Sequence, residues 1–138
     1  MQLKIKHEVK IRVRYGETDQ MGYCYYGNYA QYFEVGRVET MRKIGLTYKA
    51  LEASGKMLPV YHFSIDYYLP AHYDDELTIL TEIIMLKGPQ LFFEYQVFNE
   101  QKDLLCKAKT TLVFIQSSTK KPTVPPADFI NLLKPYEQ

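Results

Sequence analysis

The sequence reads as an α+β protein in which one long helix lies across a curved antiparallel sheet of about five strands. One strand comes first, then one helical stretch, then four long strands separated only by short turns. Short connections favour antiparallel neighbours, because a parallel crossover needs a dozen or more residues. The chain has 138 residues, 46% of them hydrophobic and 24% charged, which is enough to bury one sizeable core. No repeat, low-complexity tract or internal boundary interrupts it, so residues 1–138 read as a single domain.

The elements follow from local pattern. Residues 7–14 alternate, with Val9, Ile11 and Val13 on one face and Lys10, Arg12 and Arg14 on the other, which is the period of a half-buried strand. Residues 15–28 break the alternation with Gly16, Gly22, Gly27 and Asn28, the signals of a tightly turned loop. Residues 29–44 repeat at helical spacing, with Asn28 as the expected N-cap and Gln31 in the capping-box position. Gly36 falls mid-helix, a position that lets a helix approach a sheet closely, and Gly45 is the expected stop. A short helix over 47–54 precedes strands at 58–69, 76–87, 91–99 and 104–116, which are β-branched and aromatic. In the last strand Cys106, Ala108, Thr110, Leu112 and Phe114 share one face. A short terminal helix is expected over 127–134.

Composition excludes several classes of function. Seventeen Lys and Arg balance sixteen Asp and Glu, which argues against a nucleic-acid or membrane-surface protein. No apolar run reaches the roughly 20 residues that span a bilayer. The start, MQLKIKHEVKIRV, alternates and lacks the apolar core of a signal peptide, so the expectation is a cytoplasmic protein with Cys24 and Cys106 as free thiols. His7, His62 and His72 show no metal-ligand spacing. Thirteen Tyr, seven Phe and no Trp suit a pocket wall or a subunit interface.

The loop before the helix carries the candidate chemistry. Glu17, Thr18 and Asp19 stand ahead of Gly22 and four tyrosines, at the start of a helix. A helix N-terminus presents unpaired N–H donors and a positive dipole end, so it can polarise a carbonyl. A nearby carboxylate can act as base or nucleophile, or simply as a turn former.

The segment VRYGETDQMGYCYYGNYAQYFEVGRVETMRKIG resembles the signature of hotdog-fold acyl-CoA thioesterases. The branch is the 4-hydroxybenzoyl-CoA thioesterase-like one, which includes the Tol–Pal-associated enzymes. Asp66 to Ala71, Asp74 to Leu77, and Leu112-Val113-Phe114 followed by Lys120-Lys121-Pro122 extend the resemblance over nearly the whole chain. It implies a hotdog fold, a homodimer at least, with a dimer of dimers left open, and hydrolysis of an acyl-CoA to free acid and CoA. It implies no metal and no cofactor, coenzyme A being part of the substrate. Asp19 falls on the family's catalytic Asp, as general base or nucleophile. Tyr26 falls on the position whose backbone N–H polarises the thioester carbonyl, where the Tol–Pal-associated members carry His. Gly22 would keep the loop tight enough to aim Asp19.

Other residues have two readings. Glu34 is a second carboxylate candidate, because another hotdog branch places its base on the helix; the plainer reading is an ion pair with Arg37. Glu17 positions Asp19 or caps the loop, and Cys24 reads as a small, partly buried residue. Tyr29 closes the pocket or packs the helix. His62 lines the acyl pocket or serves the core. Lys87, Lys120 and Lys121 are candidates for CoA phosphates or plain surface lysines. The tyrosine-rich 61–68 stretch is a candidate interface, since a bare sheet edge invites pairing. The competing functions are a non-catalytic module binding acyl-CoA or acyl-carrier protein, an acyl-carrier-protein thioesterase, and a hotdog dehydratase. The last would need a His in the loop–helix segment, which has none.

Overall fold

The structure, a computed structural model, describes residues 1–138. The chain runs β1 (Gln2–Arg12), α1 (Tyr29–Lys43), α2 (Tyr48–Ala53), β2 (Lys56–Met57), β3 (Val60–Tyr67), β4 (Glu76–Lys87), β5 (Gln90–Phe98), β6 (Leu104–Val113), β7 (Ile115–Gln116) and α3 (Ala127–Leu133). Five strands form one antiparallel sheet in the order β1-β4-β5-β6-β3, and β2 pairs with β7. One long helix on a five-stranded antiparallel sheet is the expected architecture.

Burial alternates along β4 and β5, so Leu77, Ile79, Thr81 and Ile83 line the inner face beside Leu91, Phe93, Tyr95 and Val97. In β6, Cys106, Ala108, Thr110 and Leu112 are buried while Lys107 and Lys109 are exposed, as the alternation predicts. Helix α1 lies on this face through Tyr29, Tyr32, Phe33, Gly36, Thr40 and Met41. A methyl group at Gly36 would fall well inside van der Waals contact with Thr81 Oγ1, so the close helix–sheet approach expected at this glycine is present. No helix is long and apolar enough to cross a membrane.

The boundaries differ from expectation in four places. Strand β1 starts at Gln2, because Leu3 and Ile5 continue the alternation into the core, with Ile5 opposite Ile83 on β4 and Leu3 bridging Glu137. Strand β3 begins after Pro59, which has no N–H for the ladder. The last strand is split at Phe114 into β6 and β7. Asn28 is not an N-cap: its backbone is already helical (φ −77°, ψ −22°), its side chain caps nothing, and the Gln31 capping box is absent. A 3-10 turn at Tyr26–Asn28 leads directly into α1, so the helical run begins three residues earlier.

The two sheet edges are unlike. Along β1, Lys4, Lys6, Glu8, Lys10 and Arg12 are exposed at alternate positions, and the chain's last residues pair with its start. The β3 edge is exposed except for Ile65 and presents Val60, Tyr61, Phe63 and Tyr67, continued by Tyr68 and Leu69.

Candidate active site

The loop after β1 folds into a miniature hairpin. Thr18 bridges Cys24, Asp19 N–H donates to the Tyr23 carbonyl at 2.8 Å, and Gly22 N–H donates to the Asp19 carbonyl at 3.0 Å. Gly22 takes φ +80°, a conformation that L side chains rarely adopt, which is why a glycine closes this turn. The Asp19 side chain completes it: Oδ1 accepts the N–H groups of Met21 at 2.9 Å and Tyr23 at 3.2 Å. The other oxygen, Oδ2, accepts no hydrogen bond from the protein. Cys24 N–H to the Ala71 carbonyl (2.7 Å) and a Tyr23–His72 bridge tie the hairpin to the turn before β4.

Glu17 joins the hairpin to the helix. Its Oε1 accepts the Arg14 N–H at 2.8 Å and the Tyr32 hydroxyl at 2.9 Å, and its Oε2 lies 3.2 Å from the Arg14 guanidinium. Its carbonyl accepts the Tyr25 N–H at 2.8 Å and the Asn28 side-chain amide at 2.7 Å. Burial pushes this carboxyl up, but the Arg14 and Tyr32 hydrogen bonds outweigh it and hold it below its ordinary value.

At the helix start, the N–H groups of Tyr26 and Gly27 have no acceptor within the chain. Both residues are exposed and stand at the positive end of α1. A cavity of about 300 Å³ brings Asp19 and Tyr26 together with Cys24, Tyr29, Tyr67 and Leu69, and eight of its ten lining residues are hydrophobic. Tyr29 meets Tyr67 edge to face at 5.4 Å, and the Tyr67 hydroxyl donates to the Tyr26 carbonyl at 3.4 Å, so the β3 edge closes on the helix start. Burial raises the Tyr29 phenol and the Cys24 thiol, leaving both neutral at physiological pH. Cys24 is buried beside the Tyr32 hydroxyl (3.4 Å), as its small-residue reading expects. The cavity thus brings a carboxylate with one free oxygen to the same aromatic-walled space as Tyr26, whose N–H is unpaired.

The remaining sequence candidates lie elsewhere in the protomer. His62 is exposed on the outer face of β3 opposite Thr111 and does not line this cavity. Lys87 ends β4 at its far end, roughly 35 Å of strand from the Glu76 end that neighbours the hairpin. Lys120 and Lys121 sit at the same far end, around the carbonyl and N–H of Gln116. Glu34 lines a separate cavity of about 300 Å³ with Phe33, Arg37, Val60 and Phe63. The expected Glu34–Arg37 ion pair does not form. Arg37 turns into the core, donates to the Tyr95 hydroxyl at 3.2 Å and leaves its Nε unpaired, while Glu34 faces solvent. The sequence reading missed the ties that Asn28 and Tyr32 make to Glu17. Their spacing from it, eleven and fifteen residues across a turn, carries no local signal.

Residues 13–133 match the model of the thioesterase-like superfamily. The chain belongs to that family. Among its relatives is the acyl-CoA thioester hydrolase YbgC of Escherichia coli, 32% identical over 120 residues that cover 87% of this chain and 90% of that protein. The acyl-CoA thioesterase YbgC of Haemophilus influenzae is 30% identical over 119 residues, 86% of this chain and 87% of its own. The crystal structure of the DHNA-CoA thioesterase from Staphylococcus aureus superimposes with a TM-score of 0.89 at 30% identity, covering 93% of this chain and 88% of that one. The hotdog architecture of this superfamily is therefore that of the present chain. The superfamily match spans the hairpin, α1 and the whole β3–β6 region.

Proposed function

We propose that the protein is an acyl-CoA thioesterase, one domain over residues 1–138, with Asp19 and the Tyr26 N–H as its catalytic groups. The observation that carries the proposal is the cavity itself: a carboxylate with a free Oδ2 and Tyr26, whose helix-start N–H is unpaired, line the same aromatic-walled space.

In this reading the thioester carbonyl accepts from the Tyr26 N–H, which stabilises the negative charge that develops on its oxygen. Asp19 Oδ2 either takes a proton from the attacking water or attacks the carbonyl carbon itself, and water then cleaves the resulting anhydride. The tetrahedral intermediate collapses by breaking the C–S bond, and the CoA thiolate leaves and is protonated. The sum is thioester plus water to carboxylic acid plus thiol. The two hydrogen bonds on Oδ1 hold the carboxylate plane while leaving Oδ2 free to react. Gly22 keeps the turn tight, and Tyr29 and Tyr67 exclude water from the acyl group.

The exposed β3 edge supports a homodimer formed by antiparallel pairing of two β3 strands, which leaves a dimer of dimers open. Pairing about a two-fold near Ser64 sets Val60 of one copy across from Tyr68 of the other. The lysine-bearing end of the second sheet, with Lys87, Lys120 and Lys121, is then brought toward the Asp19 cavity, where it can meet CoA phosphates. His62 would lie at the seam between the copies. We read the protein as cytoplasmic and as needing no metal or cofactor beyond its CoA substrate.

The test is thiol release from a panel of aliphatic, benzoyl and hydroxybenzoyl CoA thioesters, with wild type beside Asp19→Asn. The expected loss in the variant is at least about a hundredfold, the size of a lost catalytic carboxylate. Turnover untouched by the substitution would move the chemistry to another group. Acyl-CoA binding without turnover would leave a binding module or a carrier-protein thioesterase.

A further inference from the structure

We propose that Glu17 is a positioning residue that sets the Asp19 carboxylate against the Tyr26 amide by clamping the reactive hairpin to helix α1. The proposal rests on the thioesterase reading of that site and goes beyond it, because Glu17 does not line the cavity and touches no substrate.

The clamp is visible in the bonds that converge on this one residue. The carboxylate reaches back to Arg14, where the chain leaves β1, and across to Tyr32, the fourth residue of α1. The carbonyl of the same residue holds Tyr25, on the return arm of the hairpin, and Asn28, in the turn that begins the helix. Asp19 lies two residues after Glu17 in the chain, and Tyr26 follows Tyr25 directly. Both reacting groups are therefore held from the same residue, one on each side. The hairpin's other backbone ties run to Ala71 and His72, ahead of β4, and from the Asn28 N–H to the Tyr25 carbonyl in the turn before the helix; none of them reaches α1 itself.

Glu17 is 8% exposed, and a carboxylate so enclosed is stable only when donors meet it. Three do so here: the Arg14 N–H, the Arg14 guanidinium and the Tyr32 hydroxyl, while the Asn28 amide meets the backbone carbonyl of the same residue. Hydrogen bonds to an ionised acceptor are stronger and shorter than neutral ones, so the joint is stiff. Because the Tyr32 hydroxyl donates to Glu17, the Cys24 thiol 3.4 Å away donates to the Tyr32 oxygen, which adds the hairpin's far strand to the same joint. An error of about 1 Å in such a pair of catalytic groups can cost about a hundredfold in rate, so a clamp outside the cavity acts on turnover.

Three variants separate this role from folding. Glu17→Gln keeps the two bonds that converge on Oε1 and loses only the Oε2 contact with Arg14; its kcat is expected within about threefold of wild type. Glu17→Ala removes all three side-chain bonds and should lose about tenfold or more in kcat while KM moves by less than about threefold. Tyr32→Phe should fall between them. Amide hydrogen exchange supplies a readout that needs no turnover. In Glu17→Ala, residues 18–26 should exchange at least about tenfold faster while β4 and β5 keep wild-type protection.

Unchanged exchange in the hairpin overturns the proposal, as does a loosened hairpin with full kcat. Equal loss of kcat in the Gln and Ala variants also overturns it, since charge and not the clamp would then matter. A wild type that cleaves no acyl-CoA refutes the thioesterase reading instead, and the clamp is then decided by the exchange measurement alone.

Discussion

Alanine at Gly36 makes a sharp test of how helix and sheet fit. Gly36 faces β4 in the middle of α1, and its added methyl would press into Thr81 Oγ1 and lie 3.3 Å from Ile79 Cγ2. Both neighbours are fully buried side chains on a strand bonded on both sides, so neither can retreat. Forcing a methyl into a packed core costs about 1–3 kcal/mol. Alanine returns up to about 1 kcal/mol of helix propensity relative to glycine. The overlap with Thr81 is deep enough to put the cost in the upper part of that range, so the balance is a loss of about 1–2 kcal/mol, which lowers Tm by roughly 3–8 °C in a domain of this size. Urea denaturation followed by circular dichroism reads the loss directly as a lower midpoint with unchanged slope. Thr81→Ala in the Gly36→Ala background removes the clashing oxygen, which is unpaired in the wild type, and should recover at least about 1 kcal/mol as coupling. Thr81→Val keeps the bulk and should recover nothing. A Gly36→Ala protein as stable as wild type, or additive effects in the double variant, would show that the contact is not tight.

Two further expectations come from the same geometry. Glu17 titrates below its ordinary 4.5 in the folded protein, so its charged form contributes stability that is fully present above that value and fades as pH falls through the lower folded one. The stability gap between wild type and Glu17→Gln should therefore be constant near neutral pH and shrink in that acid window; a gap that widens on acidification would reverse the sign. The double variant His62→Lys, Ser64→Lys copies onto β3 the lysine pattern that guards β1. Light scattering after gel filtration should show the wild type at twice the chain mass or more and the variant at the chain mass. A monomeric wild type, or an assembled variant, would remove β3 as the pairing edge.

Much of the fold was legible because its signals are local. The alternations in β4, β5 and β6 and the helical repeat after Asn28 come from neighbours in sequence, and each ends within a few residues of where it was expected. The errors came where a distant partner decides. Asn28 has the chemistry of a cap, but its side chain is taken by the Glu17 carbonyl, eleven residues earlier. Arg37 has an acid one turn before it, but the space beneath α1 draws its guanidinium to Tyr95 on β5. The Asp19 motif stood out in the sequence, whereas Tyr67 and Leu69 as walls of its cavity did not. They reach it only because β3 lies at the sheet edge beside the helix start.

The sequence by itself determined the elements, the family resemblance and the position of one acidic turn ahead of one helix. Those depend on side-chain period, on glycines at turns and on a motif contiguous in the chain. Only the tertiary structure decided which oxygen of Asp19 stays free, that the Tyr26 and Gly27 amides have no acceptor, and that Glu17 binds hairpin to helix. Each of these is a matter of which donor meets which acceptor across the fold. A hydrogen bond is made or missed over a few tenths of an ångström, and no spacing along the chain records that distance.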